Sequence, residues 1–297
     1  MLLSVLFLLI FIERGYPQTL KYQGAIRFGS EVQLPVEHPG ALAVTSQGTF
    51  YVTDPENDRI LQVDKQGAVL QVRGKFGWAP EEFDNPADIV LAQNLDIYVA
   101  DYYNQRLQHF DRNFNFIGTI ALISSDKSVR YYPKSVDQST DEQIYVLDAE
   151  QHQLLQLNKS GNYVRALATF SEIGSDLKNA TRLRVNSSGD IWVLSSGDYD
   201  IYTFDQFGTF KYKLASPDLD NGVGVGFFRG GLAIITGKDR GLFEVRDRQI
   251  SPIAANTVLP EGGAFVDAVA YRDILYVLSE NPAQILMLRV ENLTADE

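Results

Sequence analysis

The sequence predicts an all-β protein, a six-bladed β-propeller of four-stranded antiparallel blades whose last blade is closed by an N-terminal strand. Three observations predict it. A short strand pattern recurs at a fixed step of 47 residues. Each copy is followed by a second apolar strand, a turn that contains glycine in three of the four copies, and a third strand. No segment beyond the extreme N-terminus carries the i, i+3, i+4, i+7 spacing of a surface helix. A step in the forties written in strand residues is the mark of a propeller blade.

The pattern runs Phe50-Tyr51-Val52-Thr53-Asp54, then Ile97-Tyr98-Val99-Ala100-Asp101 and Ile144-Tyr145-Val146-Leu147-Asp148. A weaker copy is Ile191-Trp192-Val193-Leu194-Ser195. Upstream, Pro39, Pro86, Pro133 and Ala180 hold the same step and open an apolar inner segment. Downstream come Arg59 to Asp64, Arg106 to Asp111, Gln153 to Asn158 and Asp200 to Asp205. Turns such as Lys65-Gln66-Gly67 follow, where glycine permits the positive φ of a tight hairpin. An outermost strand completes each unit, as in Ala68 to Val72 or Asn162 to Leu167. β-branched and aromatic residues suit such packed, pleated surfaces.

Two further units are degenerate. The fifth pairs Gly231 to Thr236 with Leu242 to Val245, and the sixth pairs Asp273 to Leu278 with Gln284 to Leu288. The run Leu20 to Phe28 lies where an outer strand would precede Pro39. It is expected to pair as the outer strand of blade six, locking the ring and covering a sheet edge.

Residues 1–19 are expected to be a signal peptide or N-terminal anchor, and residues 20–297 the propeller. Leu2 to Ile12 is an apolar block that as a helix reaches roughly 16 Å, short of the ~30 Å hydrocarbon layer. It suits the apolar region of a secretory signal, although no basic residue precedes it and no Ala-x-Ala follows. The expected location is therefore extracytoplasmic: periplasmic, secreted or membrane-anchored. Membrane contact is expected only through this segment. The net charge of −12, from 38 acids against 26 bases, counts against nucleic acid as a partner. With no cysteine, disulfides, thiolate metal sites and cysteine nucleophiles are excluded.

The pattern Pro-x-x-apolar, Gly-x-apolar-Tyr-Val-x-Asp, Asn-x-Arg-apolar-x-x-apolar-Asp, Gly resembles the NHL repeat. It is clearest in Pro39 to Gly67 and Pro86 to Asp111, extends over residues 39–211, and reaches 223–290 by extrapolation. The resemblance implies an NHL/TolB-like six-bladed propeller used as an interaction platform. Relatives include a peptide-amidating lyase, and the wider superfamily includes sugar-lactone hydrolases. Asp54 with Arg59, and Asp101 with Arg106, recur at the blade step and are expected to be structural ion pairs or turn caps.

In such a ring, the loops between blades and those between second and third strands gather on one face. The longest, Gly74 to Pro86, resembles the common NHL insertion, with Phe83 expected to plug between blades and Asn85 to point towards the channel. Trp78, Tyr102, Tyr103, Arg130, Tyr131, Tyr132 and Tyr199 are candidate contacts for a protein, peptide or glycan. Tyrosine supplies rigid amphipathic contact area at low entropy cost. His38, Asn85, Asn179 and Asp267 are expected at the channel mouth. The lactonase resemblance implies a divalent cation held there by Glu, Asn and Asp. Asn85, Asn179 and Asp267 supply hard oxygens, but no glutamate matches. A zinc lyase needs several imidazoles, and only His38, His109 and His152 exist. No Gly-x-Ser-x-Gly elbow is present.

The expected function is that of an exported, non-catalytic binding propeller acting through its loop face, without catalytic residues, resident metal or cofactor. The alternative is a metal-dependent lactonase-type hydrolase or lyase at the channel mouth, for which calcium is the candidate ion.

Overall fold

The computed structural model describes residues 19–28, 35–92, 94–125, 127–167, 177–196, 200–216, 219, 221–253, 259 and 261–291. The apolar block near the N-terminus lies outside these residues. Among the described residues no helix is long and apolar enough to cross a membrane.

Six four-stranded antiparallel sheets form the ring. The chain opens with β1 (Thr19–Arg27). Blade one is β2 (Leu42–Val44), β3 (Phe50–Asp54), β4 (Arg59–Val63) and β5 (Val69–Arg73). Blade two is β6 (Pro86–Leu91), β7 (Ile97–Asp101), β8 (Arg106–Phe110) and β9 (Phe116–Ala121). Blade three is β10 (Pro133–Gln138), β11 (Ile144–Asp148), β12 (Gln153–Leu157) and β13 (Tyr163–Leu167). Blade four is β14 (Ala180–Val185), β15 (Ile191–Ser195), β16 (Asp200–Phe204) and β17 (Phe210–Ala215). Blade five is β18 (Gly222–Phe227), β19 (Ala233–Gly237), β20 (Leu242–Arg246) and β21 (Gln249–Pro252). Blade six is β22 (Phe265–Tyr271), β23 (Ile274–Ser279) and β24 (Gln284–Glu291), with β1 as its outermost strand.

The closing strand pairs from Thr19 with Glu291 to Arg27 with Gln284, slipping one residue between Tyr22 and Gly24. It buries Leu20 and Ile26. The ring is thus fastened by strands from the two ends of the described chain, as the sequence predicts.

The second strand of blades one to five is buried along its whole length, because it lies mid-blade between two neighbouring sheets. Its apolar run follows from that position. Blades pack face to face: Tyr51 and Ile60 of blade one meet Phe83, Ile89, Val99 and Phe110 on the blade-two side. Phe83 is fully buried in this seam.

The outer hairpins share one device. Asp64, Asp111, Asn158 and Asp205, again 47 residues apart, each accept hydrogen bonds from the N–H groups two and four residues on, at 2.8–3.0 Å. The side chain thereby replaces a backbone partner in the turn. In the first of them Gly67 has φ +93°, and a Cβ there would lie 2.2 Å from the carbonyl oxygen of Arg27. The blade-one hairpin therefore abuts the closing strand.

Candidate functional site

The insertion loop is nailed down from below. Arg106 pairs with the buried Asp101 at 2.6 Å and donates to the carbonyls of Trp78, Ala79 and Glu82 at 2.7, 3.1 and 2.8 Å. Asn104 donates to Gly77 O at 2.8 Å and to both oxygens of Asp101. Asp54 and Arg59 make the equivalent buried pair in blade one at 2.8 Å. These two ion pairs are structural, as their recurrence from blade one to blade two predicts.

With its backbone fixed, the loop presents aromatic side chains outward. Trp78 is 70% exposed and Phe76 59%, their rings 5.8 Å apart. On the adjoining blade-two loop Tyr103 is 56% exposed, edge-on to Tyr102 at 4.9 Å. Tyr102 also lies 5.6 Å from Tyr132 and donates to Glu150 Oε1 at 3.1 Å. Burial, reinforced by Glu150, pushes the Tyr102 phenol up to about 12, so it acts as a donor at neutral pH. Arg130 is exposed.

Other candidates lie elsewhere. Tyr131 is only 5% exposed and stacks on Tyr163 in the seam beside blade three, so it packs the core rather than the surface. Its N–H donates to Leu122 O at 3.0 Å. Tyr199 lies outside the described residues.

At the mouth, His38 Nδ1 is 2.8 Å from Glu280 Oε2, which raises the imidazole above its usual range. Asn85 adopts φ +61° and its N–H donates to Asp58 Oδ1 at 2.8 Å. Asn179 is exposed, and its carbonyl accepts from Ser196 N. Asp267 is not at the mouth but deeper in the channel. Blade six lacks the opening proline, and its inner strand starts at Phe265, so Asp267 is inside the strand and fully buried.

There it belongs to a constellation that the repeat reading missed. Asp88 accepts from Arg182 Nη1 at 2.8 Å and from Arg184 Nη1 and Nη2 at 2.8 and 3.1 Å. Asp267 accepts from Arg184 Nη2 at 3.0 Å and lies 3.4 Å from Arg182 Nε. Burial alone would raise the Asp88 carboxyl, but the two guanidiniums outweigh it and hold the group below the usual range. For Asp267 burial wins, and its carboxyl is raised. The two carboxylates in turn hold Arg184 above its ordinary value against the effect of burial.

The same oxygens staple the ring. Inner strands expose one unpaired edge to the channel, and buried N–H groups need acceptors. Asp267 of blade six accepts from Leu42 N of blade one at 3.0 Å, and Asp88 of blade two from Val136 N of blade three at 3.0 Å. Ser135 of blade three accepts from Leu183 N of blade four at 3.0 Å. Polar residues within otherwise apolar inner strands, in Pro86-Ala-Asp88 and Ala180-Thr-Arg182, are the signal that locates this plug.

The plug divides the channel. On the loop-face side a cavity of about 440 Å³ is lined by Thr181, Ser196, Asn221, Lys238 and Glu280. On the opposite side a cavity of about 340 Å³ lies among the far ends of the inner strands. The oxygens a divalent cation needs do not fit one here. Asp267 faces two guanidiniums rather than Asn85 or Asn179. Among the described residues no three His, Asp or Glu side chains form a metal-holding group. His38 stands at the mouth, His109 pairs with Asp96 at 2.7 Å and stacks on Tyr98, and His152 lies in the loop after Asp148.

Fold and site define a class: a six-bladed β-propeller with a sealed channel and an aromatic loop face. A family model described as NHL repeat matches residues 83–110. NHL repeat-containing protein 3 of Mus musculus is 31% identical over 83 residues, 27% of this chain and 24% of that protein. The chain thus matches about a quarter of the length of that curated relative. A probable peptidyl-alpha-hydroxyglycine alpha-amidating lyase of Caenorhabditis elegans is 26% identical over 130 residues, 41% of this chain and 37% of the relative. A gluconolactonase structure from Xanthomonas campestris aligns with a TM-score of 0.66 at 15% identity, covering 86% of each chain, which shows the fold alone. The chain is a six-bladed propeller that carries a matched NHL repeat in blade two.

Proposed function

We propose that this protein is an exported, non-catalytic binding propeller that captures a protein, peptide or glycan through its loop face. The observation that carries the reading is the aromatic ledge of Phe76, Trp78 and Tyr103, exposed on a loop whose backbone is anchored by Arg106 and Asn104. Large aromatics held rigid lose little entropy on binding, the property of interface anchors. The apolar block Leu2 to Ile12 supports export. The lactonase-type alternative is disfavoured by the arginines that neutralise Asp88 and Asp267.

The test is a glycan array and a displayed-peptide selection with the purified protein, repeated with Trp78→Ala and Tyr103→Ala. Binders are expected to lose on the order of 30-fold affinity in either variant, as for an anchor worth about 2 kcal/mol. Binders indifferent to both substitutions, or lactone turnover by the purified protein, would overturn the reading.

A further inference from the structure

The cavity on the side of the channel away from the loop face has one carboxylate in a mostly apolar enclosure. Its walls are apolar side chains from β2, β6, β14, β18 and β22, among them Leu42, Val90, Val225 and Val269. Its polar side chains are Asp137, Arg184 and the Tyr271 phenol. Arg184 is engaged by Asp88, Asp267, Ser135 and the Leu183 carbonyl. Asp137 is different. It accepts from Val185 N at 2.7 Å and from Gln138 N at 2.8 Å, and it forms no ion pair among the described residues. It keeps accessible surface facing the cavity.

A second observation points to the same opening. The turns between first and second strands of blades one to four place one residue in the left-handed region, filled by Gly48 and Gly189 at φ +83° and by the polar Glu142 at φ +64°. In blade two the residue is Leu95, at φ +70° and 43% exposed, lining this cavity. A leucine in a conformation that favours glycine is strained, and here it also exposes its apolar side chain. Both costs fall on the one residue at the cavity rim.

We propose that this cavity is a binding site for a small ammonium compound with an apolar body, the ammonium seated on Asp137 and the body against Val90, Val225, Val269 and Leu95. A buried carboxylate without a counter-charge is unfavourable, and a ligand cation supplies what the fold does not. The neutralised Arg184 leaves Asp137 as the net charge at the cavity floor. The volume is at the small end of ligand pockets, which run from ~300 to ~1,000 Å³. Burial raises the Asp137 carboxyl to about 6 despite the attraction of Arg184, which agrees with a group awaiting a partner. This site is separate from the loop face, and its failure leaves the proposed function untouched.

The probes are benzylamine, benzyl alcohol and benzoate, followed by methyl resonances of valine and leucine in the full chain at pH 7.5. Benzylamine is expected to shift Val90, Val225, Val269 and Leu95 saturably, benzyl alcohol to bind at least tenfold more weakly, and benzoate not at all. Asp137→Asn is expected to lower benzylamine affinity at least tenfold. Leu95→Gly removes rim contact while relieving the turn, so it tests the site in a variant that folds, and a several-fold loss is expected. Equal binding of amine and benzoate, an unchanged affinity in both variants, or no saturable shift with any of the three would overturn the proposal.

Discussion

Removing Asp88 is expected to be among the most damaging single changes to this fold. The carboxylate is fully buried and accepts from Arg182, Arg184, Ser135, Val136 N and Ile89 N. Asp88→Ala leaves two guanidiniums in the channel with Asp267 as the one ion-pair partner remaining among the described residues. Breaking a buried pair costs about 3–5 kcal/mol, because the remaining charge has lost both water and partner. Unfolding entropy of about 2.1 cal/mol/K per residue gives this chain of 297 residues about 0.6 kcal/mol/K. The melting temperature should therefore fall by about 5–8 °C in calorimetry. The companion variant is Asp88→Leu with Arg184→Met, which removes the charge with its main partner. It should be less destabilised than the sum of its single changes, with a coupling on the order of 1–3 kcal/mol. The sign with pH is also fixed. Asp88 is held below its unfolded value, so its contribution is complete above that value and is lost as pH falls through the lower native one. A loss below about 1 kcal/mol for Asp88→Ala, or strict additivity in the double variant, would refute the claim that this network holds the blades.

Deleting β1 removes the burial of Leu20 and Ile26, each worth about 1.5–3 kcal/mol, so a melt lowered by about 5–10 °C is expected; an unchanged melt would disprove closure by this strand. Asp137 has a native value of about 6 against an ordinary 3.8, so the native state binds the extra proton between those limits. Wild-type stability should accordingly decline, relative to Asp137→Asn, as pH rises from about 4 to about 6, by at most about 3 kcal/mol, and a difference constant with pH would contradict it. Arg106→Ala should leave Asp101 buried without its cation and free the loop carrying Trp78. Steady-state anisotropy of Trp78, read in a Trp192→Phe background, is expected to drop, and an unaltered anisotropy would show that other contacts fix the loop.

The strands were legible because each blade repeats the same local problem. A mid-blade strand covered on both faces must be apolar throughout, and a hairpin of fixed length carries Asp or Asn at one fixed place and, in three blades of four, Gly at another. Asp64, Asp111, Asn158 and Asp205 announce this as plainly as the Tyr-Val-x-Asp runs. The closing strand was legible because a ring of six sheets leaves one edge open. The plug was not, because its partners are not neighbours in the repeat. Asp88 and Arg184 are 96 residues apart, and Asp267 and Arg184 are 83 apart. They come from blades two, four and six and meet only across the channel. The misplacement of Asp267 has the same origin: without the opening proline, the start of β22 had no marker. Tyr131 was misread for a different reason. Sequence shows that a loop tyrosine exists, but the partners that bury it, Tyr163 and the residues of the blade seam, lie beside it only after folding.

The location of the plug also constrains how the molecule can work. A propeller channel open from face to face would let one ligand communicate with both mouths. Here two arginines and two aspartates, stapled to three inner-strand edges through Asp88, Asp267 and Ser135, fill the middle. Such a network tolerates little rearrangement, since moving one member strands another without a partner. The loop-face cavity, with Lys238 and Glu280, and the opposite cavity, with Asp137, are consequently independent environments of different chemistry. Asp137 nonetheless touches the plug electrostatically through Arg184 and Asp88. A cation bound at Asp137 therefore opposes the charge on Arg184 while relieving the repulsion between Asp137 and Asp88. Because these effects have opposite signs, occupancy of the lower cavity should leave the plug, and with it the aromatic loop face, nearly unchanged.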